Sequence, residues 1–108
     1  MQELLERLQE ADPETHREWY ASEGVYPEEG YELSDVELDI LQGTIQRAIE
    51  AKGWGFSIGL EIKNEGVDGW SAFIGKPAPF GVQWSEESYG DSPASAILSA
   101  YLAALEAQ

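Results

Sequence analysis

The chain has no cysteine, a single histidine and only six basic residues among 108. Without cysteine there are no disulfide staples, no thiolate metal ligands and no thiol nucleophile. The one histidine, His16, stands beside Trp19 and Tyr20 and reads as a packing residue rather than a general base or a metal ligand. So few bases disfavour direct contact with nucleic acid or an anionic membrane, because such contacts rest on Lys and Arg neutralising phosphates. No apolar run approaches a membrane span, and the start, MQELLERLQE, is acidic and amphipathic rather than a basic-then-apolar leader. These absences predict a soluble cytoplasmic protein that folds without metal or cofactor.

Acid is what the chain has in excess. Twenty-one Asp and Glu give a formal net charge of −15, and thirteen of them, against Arg7 and Arg17 alone, fall within residues 1–39. A surface of that sign suits a basic protein partner, or serves solubility and nothing more. Twelve aromatic residues and a 43% hydrophobic content supply one modest core, so a chain of this length is one folding unit.

The segment GWGFSIGLEIK, residues 53–63, organises the rest. Trp54, Phe56, Ile58, Leu60 and Ile62 recur at every second position, the period of a strand with one buried face. The other face begins Gly55, Ser57, Gly59 and is nearly bare, so a helix, a backbone or a flat ligand could approach it closely. Ahead of this strand, Ser34 and Glu37 form a capping box and Leu33 pairs with Leu38 as a hydrophobic staple, which predicts a helix to Lys52 that Gly53 ends. Behind it, Asn64-Glu65-Gly66 is hairpin chemistry before a second strand, Trp70 to Gly75. Lys76-Pro77-Ala78-Pro79 reads as a stiff connection, and Phe80, Val82 and Trp84 as a third strand to about Ser85. Glu86 to Asp91 reads as a polar loop. Ser92 and Pro93 open a last helix with Ile97, Leu98, Tyr101, Leu102 and Leu105 on its buried stripe.

Two short helices come first. Leu4, Leu5, Leu8 and Ala11 form one stripe, and Asp12-Pro13 then caps a second helix that fades near residues 22–24. The predicted fold class is α+β: a three-stranded antiparallel meander flanked by helices, an α-β-β-β-α core with two short N-terminal helices, in an α/β/α-like sandwich. Residues 1–33 are an acidic helical extension and loop; residues 34–108 form the helix–three-strand–helix domain. The bare side of the central strand is the expected docking place of the N-terminal pair.

The same element order occurs in double-stranded RNA-binding domains, but those need lysines where this chain reads Asp91-Ser92-Pro93-Ala94-Ser95. Closer is a resemblance to phage proteins carrying a phage ABA sandwich domain. It is carried by Gly53-Trp54 after a helix, by Trp70-Ser71-Ala72-Phe73 in a strand, and by Ser92-Pro93, Ala96-Ile97 and the alanine-rich run from Ala100 to Leu105. The resemblance spans about two-thirds of the chain, from about Leu38 onward, and implies an α/β/α sandwich of phage or prophage origin with no catalytic residues to transfer.

Asp35, Glu37 and Asp39 alternate as in a calcium loop, but Ile40 and Gln46 stand where that loop needs Gly and a bidentate Glu. They read instead as negative charge at a helix N-terminus. No nucleophile elbow or phosphate loop is present, so an enzyme is not expected. The first functional expectation is an acidic accessory protein that binds a basic host protein surface through Tyr26, Glu28, Glu29, Tyr31, Glu32 and Asp35, as inhibitors of restriction or CRISPR defence do. An alternative is a binder of a small nucleotide signal on Gly55, Ser57 and Gly59, with Trp70 or Phe73 stacking on a base. That requires Arg47, Lys52, Lys63 and Lys76 to converge locally. A structural or assembly role in a phage particle is a third.

Overall fold

A computed structural model describes residues 1–23, 33–63, 66–85 and 87–107, with backbone alone at 23, 61–63 and 66–68. The elements are α1 (Gln2–Ala11), α2 (Pro13–Glu23), α3 (Asp35–Ala51), β1 (Gly55–Lys63), β2 (Gly66–Ala78), β3 (Gly81–Trp84), β4 (Ser88–Gly90) and α4 (Pro93–Glu106). The architecture is α+β, with all strand pairs antiparallel. Local chemistry starts the helices as the sequence suggests. The Ser34 hydroxyl accepts from the Glu37 N–H at 3.3 Å while the Glu37 carboxylate accepts from the Ser34 N–H at 3.0 Å, satisfying two end amides of α3 at once. Gly53 follows α3 at φ 75°, a conformation that side chains resist. Among the described residues, no helix is long and apolar enough to cross a membrane.

β2 runs through the middle of the sheet, with β1 along one edge and β3 then β4 along the other. Three expectations change here. β2 does not stop at Gly75 but continues through Lys76-Pro77-Ala78, where only β3 pairs with it. A residue without an N–H is tolerated there because one side of the strand has no ladder to complete. Phe80 lies in the turn between β2 and β3 and is fully exposed, not in a strand. Within the expected polar loop, Ser88–Gly90 is β4 and pairs with Trp70–Ala72.

β3 and β4 are one lane of the meander interrupted by a one-residue shift. Trp84 stands opposite Gly75, yet Ser88 stands opposite Ala72, so the outer lane spends four residues where β2 spends three. Ser85 holds the break together: its N–H donates to the Ile74 carbonyl at 2.8 Å, and its hydroxyl accepts from the Ile74 N–H at 2.8 Å. The side chain supplies the acceptor at the irregularity.

The core lies between the sheet and the helices. α3 and α4 pack together on one sheet face, α3 against β1 and α4 against β1, β2 and β4. The small residues of α4 let it be surrounded: Ala94, Ala96, Ile97, Leu98, Ala100, Tyr101, Leu102 and Ala104 are all buried. Gly90 belongs to the same close fit, since a Cβ there would come within 2.6 Å of the Ala96 amide nitrogen.

The N-terminal helices do not cover the bare sheet face. α1 packs on α4 and α2 on α3, and among the described residues neither touches a strand. The reason is apolar supply. Leu5, Leu8 and Trp19 join the same buried cluster as Leu41, Ile45, Ile97 and Tyr101, and that cluster lies on the helical side.

Replacing Ser85 by Ala strands the Ile74 N–H at the break and is expected to lower stability by about 1 to 2 kcal/mol, read as a shift of the urea midpoint at unchanged slope.

Candidate functional site

The sheet face turned away from the helices is the candidate site. Strand register sorts its residues into rows. Gly59, Ser71 and Tyr89 form the first; Ser57 and Phe73 the second, beside the break near Ser85; Gly55, Gly75 and Trp84 the third; Pro77 and Val82 the fourth. A Cβ built on Gly75 would meet the Trp84 ring at 2.9 Å and Val82 at 3.0 Å, so both side chains lie over this glycine. Val82, Trp84 and Tyr89 are 59%, 53% and 62% exposed. Trp84 and Tyr89 face positions four residues apart on β2, about 13 Å along the strand. The face therefore carries a row of aromatic and apolar side chains on one side and a row of Gly and Ser on the other.

Gly55, Ser57 and Gly59 are exposed on this face, as their alternation implies. Phe73 shares the face, being opposite Ser57, whereas Trp70 stands opposite Leu60 on the helix-facing side and cannot stack on a ligand there. Trp84 and Tyr89 are the residues that sequence reasoning missed. The alternation of Val82 and Trp84 was a signal, but their face depends on the register with β2.

Of the residues expected to meet a partner, Asp35 is exposed at the start of α3; Tyr26, Glu28, Glu29, Tyr31 and Glu32 lie outside the described residues. Glu37, one of the three alternating acids, is committed to the capping box.

The bases gather elsewhere. The Lys76 Nζ donates to the Ala104 carbonyl at 2.6 Å near the C-terminal end of α4 and lies 4.7 Å from the centre of the Trp54 ring; the Lys52 Nζ lies 5.5 Å from that centre. Arg47 pairs with Glu18 at 3.4 Å. The side chain of Lys63 lies outside the described residues. Lys52, Lys76 and Arg47 thus serve the helices and the core margin, and do not converge on the glycine face.

A cleft of about 470 Å³ between α2, α3 and α4 is lined by Asp12, Thr15, Glu18, Arg47, Lys52 and Tyr101, among others. Asp12, Thr15 and Tyr101 are bonded to one another there, and Glu18 to Arg47. The Asp12 carboxylate caps α2 by accepting from the Thr15 N–H at 3.3 Å and the Thr15 hydroxyl at 2.6 Å, and it also accepts from the buried Tyr101 hydroxyl of α4. Burial works against the Asp12 charge. The hydrogen bonds from Thr15 and Tyr101, with the Lys52 ammonium, outweigh it and hold the carboxyl below its ordinary 3.8. Burial and the same carboxylate push the Tyr101 phenol above its ordinary 10.0. His16 packs edge-on to Trp19, with ring centres 5.8 Å apart, and burial lowers its pKa.

No family model, curated protein or solved structure matches this chain.

These shifts contribute to the pH dependence of stability with a definite sign. A depressed carboxyl contributes above its unfolded value and loses that contribution as pH falls through the folded one; a raised phenol contributes below 10.0 and loses it as pH rises through its folded value. Unfolding followed from acid to alkaline pH is expected to show the acid loss reduced in Asp12→Asn and the alkaline loss removed in Tyr101→Phe, with both variants less stable than the parent at neutral pH.

Proposed function

We propose that this chain is a non-enzymatic, acidic binding protein that captures a basic partner protein on its open sheet face. The observation that carries this is the exposed row on that face: Val82, Trp84 and Tyr89 stand half-exposed or more, on a chain of net charge −15. Aromatic anchors set in charged surroundings are the common composition of interfaces, and a few such residues supply most of the binding energy. Charge of one sign draws in an oppositely charged partner and rejects others. Small ligands are held in concave sites that supply their polar partners, and Arg47, Lys52 and Lys76, three of the bases a nucleotide would need, serve the helical side instead.

In this reading the partner is a host component whose basic surface otherwise holds nucleic acid, which would make the chain an inhibitor of a restriction or CRISPR defence of the kind its resemblance to phage proteins suggests. The acids of residues 1–39 add long-range attraction, and the aromatic row adds short-range contact.

The test is capture from host lysate by the tagged protein and by a Trp84→Ala/Tyr89→Ala variant. Both side chains are more than half exposed, and an unchanged circular dichroism spectrum is the check that the variant keeps its fold. Retained partner should be lost from the variant by about tenfold or more, and should fall as salt rises, because screening weakens charge attraction beyond about 8 Å at physiological ionic strength. Equal capture by parent and variant would remove the open face from the account.

A further inference from the structure

Resting on the reading of this chain as a captor of a basic partner, we propose that the occupant of the open face is an amphipathic, basic α-helix of that partner, lying along the strands over Gly55, Ser57 and Gly59.

The glycines carry the argument. Glycine in a strand interior costs conformational entropy and leaves nothing to pack, so it calls for a reason. Gly75 has one inside the fold, because Trp84 and Val82 lie over it. Gly55, the first residue of β1, has none: a Cβ there would meet nothing within 4 Å, and its backbone is not in the left-handed region. Gly59 is nearly as free, its nearest neighbour being the Ser71 Oγ at 3.4 Å. Packing among the described residues does not explain their smallness, which is what close approach by another backbone requires.

Relief and dimensions select a cylinder. The β1 row offers Gly, Ser and Gly; beside it Phe73, Trp84 and Tyr89 form a wall on one side only. From Gly55 to Gly59 the floor runs about 13 Å, the length of about nine helical residues, and with lanes about 4.8 Å apart a helix about 10 Å across laid over β1 would reach the Phe73 wall beside it. Backbone chemistry points the same way. A segment lying on a sheet face finds no strand edge to pair with, so its own N–H and C=O groups need partners within it, and a helix provides them. Packing such a helix here completes an α/β/α sandwich with the second helical layer supplied in trans.

Charge selects the sign. No basic residue follows Lys76, so the lane bearing Trp84 and Tyr89 has only acids in its sequence, Glu86, Glu87 and Asp91 among them. A second copy of this chain would bring another −15 to the same place and is disfavoured. A basic helix can set an apolar stripe against Phe73 and Trp84 and place Lys or Arg beside the aromatic rings and acids.

The experiment uses the intact protein and three synthetic peptides about 15 residues long, about 22 Å as a helix. One has a Leu and Ala stripe with Lys and Arg on the other face; the second has the same charge but two central prolines; the third has Glu in place of every base. Binding is read by tryptophan emission and peptide helicity by circular dichroism. The first peptide is expected to bind and gain helicity, about tenfold or more tighter than the other two. A Gly55→Gln/Ser57→Gln variant, which fills the floor without adding charge or apolar surface, should weaken it to a similar degree. Proline-bearing peptide binding as tightly as the helix former would overturn the helical occupant while leaving the basic-partner reading intact. So would failure of every basic peptide to bind a protein that still captures its lysate partner through Trp84 and Tyr89. Equal binding of the acidic peptide would overturn the basic-partner reading itself.

Discussion

Side chains alternate across a strand, so one extra residue moves everything beyond it to the other face. This sheet contains two such shifts, and the open face depends on both. Between β1 and β2 the register changes between Glu61 and Ile62, with Glu61 opposite Gly69 but Ile62 opposite Val67. Without that change, Trp70 would stand opposite Gly59 and share the bare face; with it, Trp70 turns to the core and Phe73, half-buried, to the other face. The break between β3 and β4 acts in the same way. Trp84 and Tyr89 are five positions apart and would point to opposite faces of a regular strand, yet one added residue puts both on the open side. Ser85 supports this arrangement by giving the Ile74 amide an acceptor where the ladder is irregular.

The second constraint is the crowding around α4. Its alanines admit the sheet on one side, α3 beside it and α1 elsewhere on its surface, so that nearly every side chain facing a neighbour is fully buried. That concentrates apolar demand on the helical side and draws the N-terminal hairpin there. Asp12 ties the hairpin to α4 through Tyr101, and Arg7 meets Glu106 at 2.9 Å, an exposed ion pair worth little by itself. With Leu5, Leu8 and Trp19 packed behind the helices, no helix among the described residues is left to cover Phe73, Val82 and Trp84.

Much of the fold was legible because its signals are local. The capping box at Ser34 and Glu37, the cap at Ser92 followed by Pro93, the stop at Gly53 and the alternation from Phe56 to Leu60 each reside in a few neighbouring residues. The bare row of Gly55, Ser57 and Gly59 was legible for the same reason. What could not be read is non-local. The face taken by Trp70, Phe73, Trp84 and Tyr89 is set by register shifts that leave no compositional mark, and the destination of α1 and α2 is set by where apolar surface remains uncovered. Ser88-Tyr89-Gly90 is too short to announce a strand and becomes one because β2 extends past it.

Among the described residues the sheet face is left open because the hairpin packs behind the helices, and nuclear Overhauser contacts in solution test that placement most directly. Contacts from the Tyr101 ring to the Thr15 methyl group, with none from Leu5, Leu8 or Trp19 to Ser57 or Phe73, are the expected result. Contacts between Trp19 and Phe73 would contradict it, because they would place the hairpin over the sheet.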